Sequence, residues 1–357
     1  MLGMRELLED MVARGASDLH ITAGLPPQFR IDGTMTATQF PAMTGDDTRR
    51  LAYSILNDEQ KKRFENDHEL DFSFGVQGLS RFRANVFQQR GVTAMAIRQI
   101  PYQIHTFEQL GLPPICRQLI SRTQGLVLVT GPTGSGKSTT LATMIDTINT
   151  QRKGHIITIE DPIEFVHQHK GCVMNQREVN SDTKSFPDAL KYVLRQDPDV
   201  ILIGEMRDRE TIQAALTIAE TGHLALATLH TNSTYETINR IVDVFPTGQQ
   251  NQVRSQLSFC LSGVLTQQLI PRAKGSGRVL TLEVMVCTPA IKAMIRDDKV
   301  HQIYGLMQAG QKHGMQTMNQ SLHQAVVNKW ITMDEALSRS GDVNELLQML
   351  GEPAGLR

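Results

Sequence analysis

The sequence predicts an α/β protein with a smaller α+β domain before it and helices after it. After about residue 115, continuous apolar runs alternate with helical patterns, and a glycine-rich loop follows the first of these runs. The first hundred residues instead show short strand-like segments closed by turns. Apolar strands separated by helices are typical of a parallel sheet covered on both faces. We therefore expect domains over 1–100 and 115–357, a linker over 101–114 and a helical region from about 289.

The N-terminal domain is predicted from closely spaced elements. The pattern indicates a helix over 4–14, strands over 17–22, 28–32 and 69–74, a helix over 45–66, and a hairpin formed by 80–87 and 92–98. Turn residues at 25–27, 32–33 and 89–91 separate several of these elements. Mixed short strands and helices of this kind favour a small α+β domain.

The hairpin carries three arginines on one face. Arg81 and Arg83 share a face by the two-residue period of a strand, and a turn about residues 89–90 brings Arg98 opposite Arg81. Three adjacent guanidinium groups repel one another unless an anion binds them. The γ-phosphate of a nucleotide is one candidate, held by the second domain of the same chain or by a neighbouring subunit. A solvated basic face is the alternative.

The second domain begins with a phosphate-binding loop. It follows the apolar run 125–130 and precedes the helical pattern 141–148, the order in which such loops occur. Its backbone N–H groups are expected to bind phosphate, its lysine to reach the β- and γ-phosphates, and its serine to ligate magnesium. This indicates binding of ATP or GTP. The predicted nucleotide-binding residues are Gly131, Pro132, Thr133, Gly134, Ser135, Gly136, Lys137, Ser138 and Thr139.

Acidic residues follow two further strands of the predicted sheet. Glu205 comes after the apolar run 200–203, where a carboxylate holds magnesium directly or through water together with Ser138. Glu160, Asp161 and Glu164 follow the run 155–159. Neighbouring carboxylates repel unless a cation or an attacking water uses them. Glu164 is predicted to polarise that water, with Glu160 and Asp161 as structural or metal-shell residues; a solvated turn is the alternative for each.

Two histidines bracket the fourth strand, 224–229. His223 precedes this strand and His230 follows it, at the end where ligands bind in parallel sheets. A histidine beside the nucleotide is suited to sensing the γ-phosphate, and a hydrogen-bonded structural histidine is the competing interpretation.

Composition excludes several other functions. Lys and Arg number 36 against 37 Asp and Glu, and aromatic residues make up 5% of the chain, so a nucleic-acid groove is not expected. The four cysteines stand far apart, which favours isolated buried thiols in a reducing compartment over a zinc site. The acidic start reads as a helix rather than a signal peptide, and no apolar run reaches membrane-span length. We expect a cytoplasmic protein.

Together these motifs resemble the secretion ATPase superfamily. The resemblance rests on the phosphate loop 131–138, the acidic box 159–164, the segment 203–208 and the histidine segment 221–231. Within the superfamily, the segments 15–20, 24–27, 80–85, 175–178 and 314–317 resemble the PilT-type ATPases of type IV pilus retraction. The similarity runs from about residue 5 to about residue 337.

The resemblance implies a PAS-like N-terminal domain and a RecA-like P-loop ATPase domain assembled as a homohexamer. It implies ATP and Mg²⁺ as cofactors and a motor for pilus retraction and twitching motility. The implied partners are a platform protein and the pilus base at the cytoplasmic face of the inner membrane, and a paralogous retraction ATPase. The implied catalytic residues are Lys137, Glu164, Glu205, His223, His230 and the arginines Arg81, Arg83 and Arg98.

Other functions remain open at the level of sequence. Extension and secretion ATPases usually carry a longer N-terminal region and a four-cysteine zinc motif, both missing here, which favours retraction. Ala290-Ile-Lys-Ala-Met-Ile295 departs from the Ala-Ile-Arg-Asn-Leu-Ile typical of the retraction branch. The tail 340–357 is similar to that of the accessory retraction ATPases of the PilU type. A nucleic-acid translocase built on the same ring is the remaining alternative.

Overall fold

The structure is a computed structural model that describes residues 2–31, 33–100 and 104–352. The chain forms two compact units. The first comprises Met1–Gln103 together with Glu164–Val166, and the second comprises Ile104–Ile163 and His167–Arg357. The predicted positions 32, 101–103 and 353–357 lie outside the described residues.

The described residues of the first unit form a six-stranded antiparallel sheet with three helices. The strands run in the order β3-β2-β1-β6-β5-β4. Their core contains Leu7, Leu8, Leu19, Phe82 and Ile97, all fully buried. The helices are α1 Met4–Ala13, α2 Gly45–Tyr53 and α3 Asp58–Asp67, and the strands are β1 Asp18–Ile21, β2 Gln28–Ile31, β3 Thr34–Ala37, β4 Glu69–Val76, β5 Ser80–Gln89 and β6 Val92–Ile100.

The single helix predicted over 45–66 is wrong, because the structure has two helices there. The break follows Tyr53, and Asn57 begins the second helix by accepting a hydrogen bond from the Gln60 backbone N–H. The Gln60 side chain in turn accepts from the Asn57 N–H, which completes a capping box. Asn57 and Gln60 are three residues apart in the sequence, so this helix start carried a local signal.

The hairpin of β5 and β6 confirms the predicted pair of strands but not their register. Arg83 lies opposite Arg98, and Arg81 lies opposite Ile100. The turn is made by Arg90 and Gly91, which both have positive φ. The turn is therefore one residue later than predicted. A turn shifted by one residue changes the facing residue on the other strand by two, so Arg98 faces Arg83 instead of Arg81. All three arginines stay on one face because side chains alternate with a period of two.

The second unit is built on a seven-stranded sheet in the order β13-β12-β7-β11-β10-β8-β9. The pairs from β12 to β9 are parallel, and β13 joins β12 antiparallel. The central strands β7, β10 and β11 bury every residue, as expected of strands with helices on both faces. The strands are β7 Gly125–Thr130, β8 His155–Glu160, β9 Val173–Glu178, β10 Val200–Ile203, β11 Leu224–Leu229, β12 Leu261–Pro271 and β13 Arg278–Val286.

Helices cover this sheet and continue to the end of the described chain. The stretch 104–114, predicted as part of a linker, buries Phe107 and Leu112 in the core of the second unit. In the described residues, no helix is long and apolar enough to cross a membrane. The helices are α4 Phe107–Leu110, α5 Pro114–Ile120, α6 Lys137–Gln151, α7 Phe186–Val193, α8 Arg209–Glu220, α9 Thr234–Asp243, α10 Thr247–Cys260, α11 Pro289–Arg296, α12 Ile303–Gln308, α13 Met318–Val327, α14 Met333–Arg339 and α15 Val343–Leu350.

Candidate functional site

The phosphate loop lies between β7 and α6, as the sequence predicts. Gly131, Gly134 and Gly136 have φ values of 136°, 79° and 89°, in the region that side chains rarely adopt. Gly136 precedes α6 without a side-chain cap, so the first N–H groups of the helix are available to an anion. Pro132, Thr133 and Gly134 are exposed at the tip of the loop.

The loop packs tightly against strand β12. A Cβ atom on Gly131 would lie 2.4 Å from the backbone oxygen of Gln267 and 2.8 Å from Ser135 Oγ, so only glycine fits there. A Cβ on Gly134 would meet open space. The loop is thus packed against β12 at Gly131 and open at its tip, at Gly134. This cradle fits the phosphates of a nucleotide.

Lys137 is the first residue of α6, and its ammonium group turns back over the loop. Its Nζ donates to the backbone oxygens of Gly131, at 2.8 Å, and Pro132, at 3.1 Å, and lies 3.4 Å from His230 Nδ1. Burial lowers the pKa of Lys137, and the nearby Glu205 carboxylate acts in the opposite direction. Among the described residues, the ammonium group hydrogen-bonds to two backbone carbonyls and the His230 ring, so an anionic phosphate would be a stronger direct partner.

Glu205 lies just past the carboxyl end of β10, where it meets two basic side chains. Its Oε1 is 2.7 Å from Arg207 Nε and 3.1 Å from His230 Nε2. Burial alone would raise the pKa of Glu205, but the Arg207 hydrogen bond and the charges of His230 and Arg207 outweigh it, and the pKa is lowered. Glu205, His230 and Lys137 therefore form a connected polar chain beside the phosphate loop.

The predicted magnesium ligands are a hydroxyl and a carboxylate. Ser138 is exposed in the first turn of α6, and Glu205 keeps a second carboxylate oxygen beyond its contacts with Arg207 and His230. Over residues 2–31, 33–100 and 104–352, no group of three His, Cys, Asp or Glu residues is placed to hold a metal. Magnesium at this site would depend on phosphate oxygens and water for most of its ligands, as is usual for this ion.

The acidic residues at the end of β8 and beyond it have different surroundings. Glu160 is buried and accepts hydrogen bonds from Thr158 Oγ1, at 2.7 Å, and Gln176 Nε2, at 3.3 Å. These contacts fit the first of the two roles, structural or metal-shell, that the sequence predicts for Glu160, and the assignment stays a prediction. The structure groups Glu164 with the first unit, so its role as the water-polarising base stays a prediction.

The two histidines lie at opposite ends of β11. His230 follows the strand and joins the chain of Lys137 and Glu205. His223 precedes the strand, about 20 Å away along it at roughly 3.3 Å per residue. Its Nδ1 lies 3.3 Å from the Ile218 backbone oxygen and 3.2 Å from Thr221 Oγ1. His223 is therefore not part of the site around Lys137 in this chain, and its catalytic role stays a prediction.

One hairpin arginine, Arg98, pairs with an acidic residue of the same unit that the sequence did not predict. Asp18 Oδ1 lies 2.7 Å from Arg98 Nε, and its Oδ2 lies 3.9 Å from Arg30 Nε. Burial alone would raise the pKa of Asp18, but hydrogen bonds from Ser17 and Arg98 and the charge of Arg98 lower it. The register explains this contact, since Asp18 stands opposite both Arg30 and Arg98. Arg98 thus already holds a carboxylate within the first unit.

Three further residues at the phosphate loop went unpredicted. Gln267 Nε2 donates to the Ser135 backbone oxygen at 2.6 Å, and Arg278 lies 3.4 Å from the Gly134 backbone oxygen. Arg207 pairs with Glu205. Arg207 carried a signal, because it stands two residues after the predicted metal ligand. Gln267 and Arg278 carried none, because they stand more than 100 residues from the loop they contact.

Comparison with known proteins gives a consistent family. A sequence model of the family described as "Type II/IV secretion system protein" matches residues 2–338. The "Type IV pilus retractation ATPase PilT" of Pseudomonas aeruginosa is 49% identical over 339 residues, which is 95% of this chain and 98% of that protein. The "Type IV pilus ATPase PilU" of the same organism is 43% identical, over 97% of this chain and 90% of that protein.

A solved structure supports the same relationship. The crystal structure of the "Pilus Retraction Motor PilT and Bound ADP" superimposes with a TM-score of 0.93 at 51% identity, over 98% of this chain and 100% of that one. This match confirms the predicted fold class, an α/β ATPase fold with a smaller N-terminal domain. The boundaries assigned to the domains and linker stay predictions.

Proposed function

The chain belongs to the family of type II/IV secretion system proteins, and we propose that it is an ATP-hydrolysing motor of type IV pilus retraction. The observation that carries the ATPase part of this proposal is the open phosphate loop with Lys137, Glu205 and His230 connected beside it, and the 49% identity to PilT carries the pilus-retraction part. Phosphoryl transfer to water requires charge neutralisation and a positioned water more than covalent chemistry. These three side chains supply groups of that kind.

The phosphate loop binds the nucleotide in this proposal. The backbone N–H groups of Gly131 and of residues 133–139 hold the phosphates, and Lys137 exchanges the Gly131 and Pro132 carbonyls for phosphate oxygens. Ser138 and Glu205 hold Mg²⁺, directly or through water. When bound, the metal neutralises charge on the phosphates.

Glu205 and His230 form the part of the site that can respond to the γ-phosphate. His230 lies 3.1 Å from the Glu205 carboxylate and 3.4 Å from the Lys137 ammonium group, so its two ring nitrogens contact one group each. Movement of Lys137 onto phosphate removes one of those partners. His230 is therefore well placed to report whether the loop is loaded.

Four assignments rest on the family resemblance. Glu164 is proposed to polarise the attacking water. Arg81, Arg83 and Arg98 are proposed to contact phosphate, from the same chain or from a neighbour. Arg98 would have to share its guanidinium group with Asp18.

The proposed working form is a homohexamer at the cytoplasmic face of the inner membrane. Family membership supports the ring, and the PilT and PilU relatives support a place in pilus machinery. The proposed partners are the platform protein, the pilus base and a second retraction ATPase. ATP hydrolysis would change the ring's shape and withdraw pilin subunits through the platform protein.

A second candidate function is that of an accessory retraction ATPase. Its support is the 43% identity to PilU over 97% of the chain, only a little below the identity to PilT. An accessory subunit would act together with another retraction motor and would not be sufficient by itself.

Deletion of the gene in its native host separates these functions. We expect the deletion strain to carry abundant surface pili that never shorten and to lose twitching. The parent gene should restore retraction and twitching, whereas a copy with Glu205→Ala should not. Bald cells would identify an extension ATPase and overturn the proposal. Retraction that persists, but weakens under load, would favour the accessory function.

A further inference from the structure

Gln267 contacts the phosphate loop over most of its length. This side chain is fully buried on β12, one residue beyond Thr266, the last residue that pairs with β7. Its Nε2 donates to the Ser135 backbone oxygen at 2.6 Å. Its backbone oxygen would be 2.4 Å from a Cβ on Gly131, and its Nε2 would be 3.2 Å from a Cβ on Gly136. Gln267 therefore meets the first and the last glycine of the loop.

The neighbouring pair of threonines anchors the strand beneath this contact. Thr130 Oγ1 and Thr266 Oγ1 lie 2.7 Å apart, and both side chains are fully buried. This bond joins β7 to β12 at the point where the chain of β7 leaves the sheet and enters the loop. Gln267, the next residue of β12, thus extends the contact between β12 and the end of β7 to the phosphate loop.

The buried polar atoms around this contact are not all paired. Ser135 Oγ and Gln267 Oε1 are both buried and have no hydrogen-bond partner among the described residues. Buried groups without partners are unfavourable, and in native proteins they concentrate where function requires them. The hydrogen bond that joins Ser135 to β12 is therefore made by its backbone oxygen, through Gln267, while its backbone N–H donates within the loop to the Pro132 oxygen at 3.2 Å.

We propose that Gln267 is a positioning residue that holds the phosphate loop in its anion-binding shape. Because C=O and N–H point in opposite directions in a trans peptide unit, fixing the Ser135 carbonyl towards β12 directs the Gly136 N–H away from β12, and we expect phosphate to bind on that side. The inference rests on the proposed nucleotide-binding function. It adds that the shape of the loop is set by a residue of β12, more than 130 positions away in the chain.

The test compares two adjacent glutamines. Gln267→Met keeps the length of the side chain and removes both hydrogen-bonding groups, and Gln267→Glu keeps the shape but replaces the amide donor with a second acceptor. Gln268→Met is the matched control, because the next residue of a strand faces the opposite side and Gln268 is only partly buried. Hydrogen exchange of residues 131–139 without nucleotide is measured first, followed by titration with a fluorescent ADP analogue.

In both Gln267 variants, the loop amides are expected to exchange their hydrogens faster than in the parent. Both variants are also expected to bind the ADP analogue about tenfold more weakly, which is the effect of losing one buried hydrogen bond. Gln268→Met is expected to stay within about twofold of the parent. Unchanged loop exchange in folded Gln267 variants, or equal effects at both positions, would overturn the inference. Failure of the parent to bind ADP would count against the proposed function, while the exchange of the nucleotide-free loop still tests Gln267.

Discussion

The two edges of the parallel sheet in the second unit use the same residue types for different purposes. At the carboxyl edge, His230 and Glu205 contact each other, and His230 also contacts Lys137. At the amino edge, His155 contacts the Asp197 backbone oxygen, and Asp199 Oδ2 accepts from the His155 backbone N–H. His223 likewise lies against a backbone oxygen and a threonine hydroxyl.

The difference lies in what each charged group has as a partner. Amino-edge groups contact main-chain atoms and short neutral side chains, which are present whether or not a ligand binds. Carboxyl-edge groups contact one another, and Lys137 rests on neutral carbonyls that phosphate can replace. Ligands of parallel sheets bind at the carboxyl ends of the strands. We therefore propose that position along a strand, rather than residue type, separates a functional histidine from a structural one.

The two ends of α6 provide the largest test of this difference. Lys137 begins the helix at the carboxyl edge, and Lys153 follows its end at the amino edge. Lys137→Ala is expected to weaken binding of a fluorescent ADP analogue by about 100-fold, because it removes charge-assisted hydrogen bonds to phosphate. Lys153→Ala is expected to change the Kd by less than about twofold. Similar losses in both variants would remove the distinction between the edges.

The acids that flank β10 provide the next test. Glu205→Ala is expected to lower kcat by about 100-fold or more, the size seen when one preorganised electrostatic group is removed from an active site. The thermal unfolding midpoint should change little, because Glu205 contacts other side chains at an open edge. Steady-state hydrolysis of ATP with magnesium measures the effect. A kcat within threefold of the parent would contradict the assignment.

The histidines that flank β11 make a sharper comparison within one strand. His230→Gln is expected to lower kcat by about tenfold, because it removes a contact shared by Glu205 and Lys137. His223→Gln is expected to leave the Kd for the ADP analogue within about twofold. If His223→Gln instead weakens binding of the ADP analogue by about tenfold or more, position along the strand does not decide the role.

The smallest effect is expected at Asp199, before β10. Asp199→Ala removes the acceptor for the His155 backbone N–H, 2.8 Å away, and should lower the free energy of unfolding by about 1 kcal/mol. The thermal midpoint then falls by about 2–4 °C, with kcat and the Kd for the ADP analogue unchanged. Calorimetry and ATP hydrolysis on the same sample check both parts. A fall in kcat with an unchanged thermal midpoint would show that Asp199 acts in hydrolysis rather than in stability, contrary to the role assigned to the amino edge.

Much of the fold followed from local patterns. The apolar runs that became β7, β8, β10 and β11 were long, continuous and separated by helical segments, which fixes both their type and their parallel arrangement. Strands β3, β9, β12 and β13 were not predicted. Exposed β3 and mixed β9 lack a continuous apolar run, and β12 carries the polar residues Gln267 and Gln268 within it.

Errors in the N-terminal unit arose at short connections. The break between α2 and α3 depends on capping at Asn57, and the hairpin register depends on Arg90 and Gly91 rather than Gln89 and Arg90. Both are changes of one to a few residues. They alter which side chains meet, and the corrected register places Arg98 opposite Asp18 as well as Arg83.

The sequence by itself determined the phosphate loop and the positions of Lys137, Ser138, Glu205 and His230 at the carboxyl edge. A loop motif is local, and the direction of a parallel strand decides which end of it carries the site. Only the tertiary structure decided that Gln267 supports Ser135 and that Asp18 neutralises Arg98. Those contacts join residues 132 and 80 positions apart, and their formation depends on the packing and register of whole strands, which no short pattern encodes.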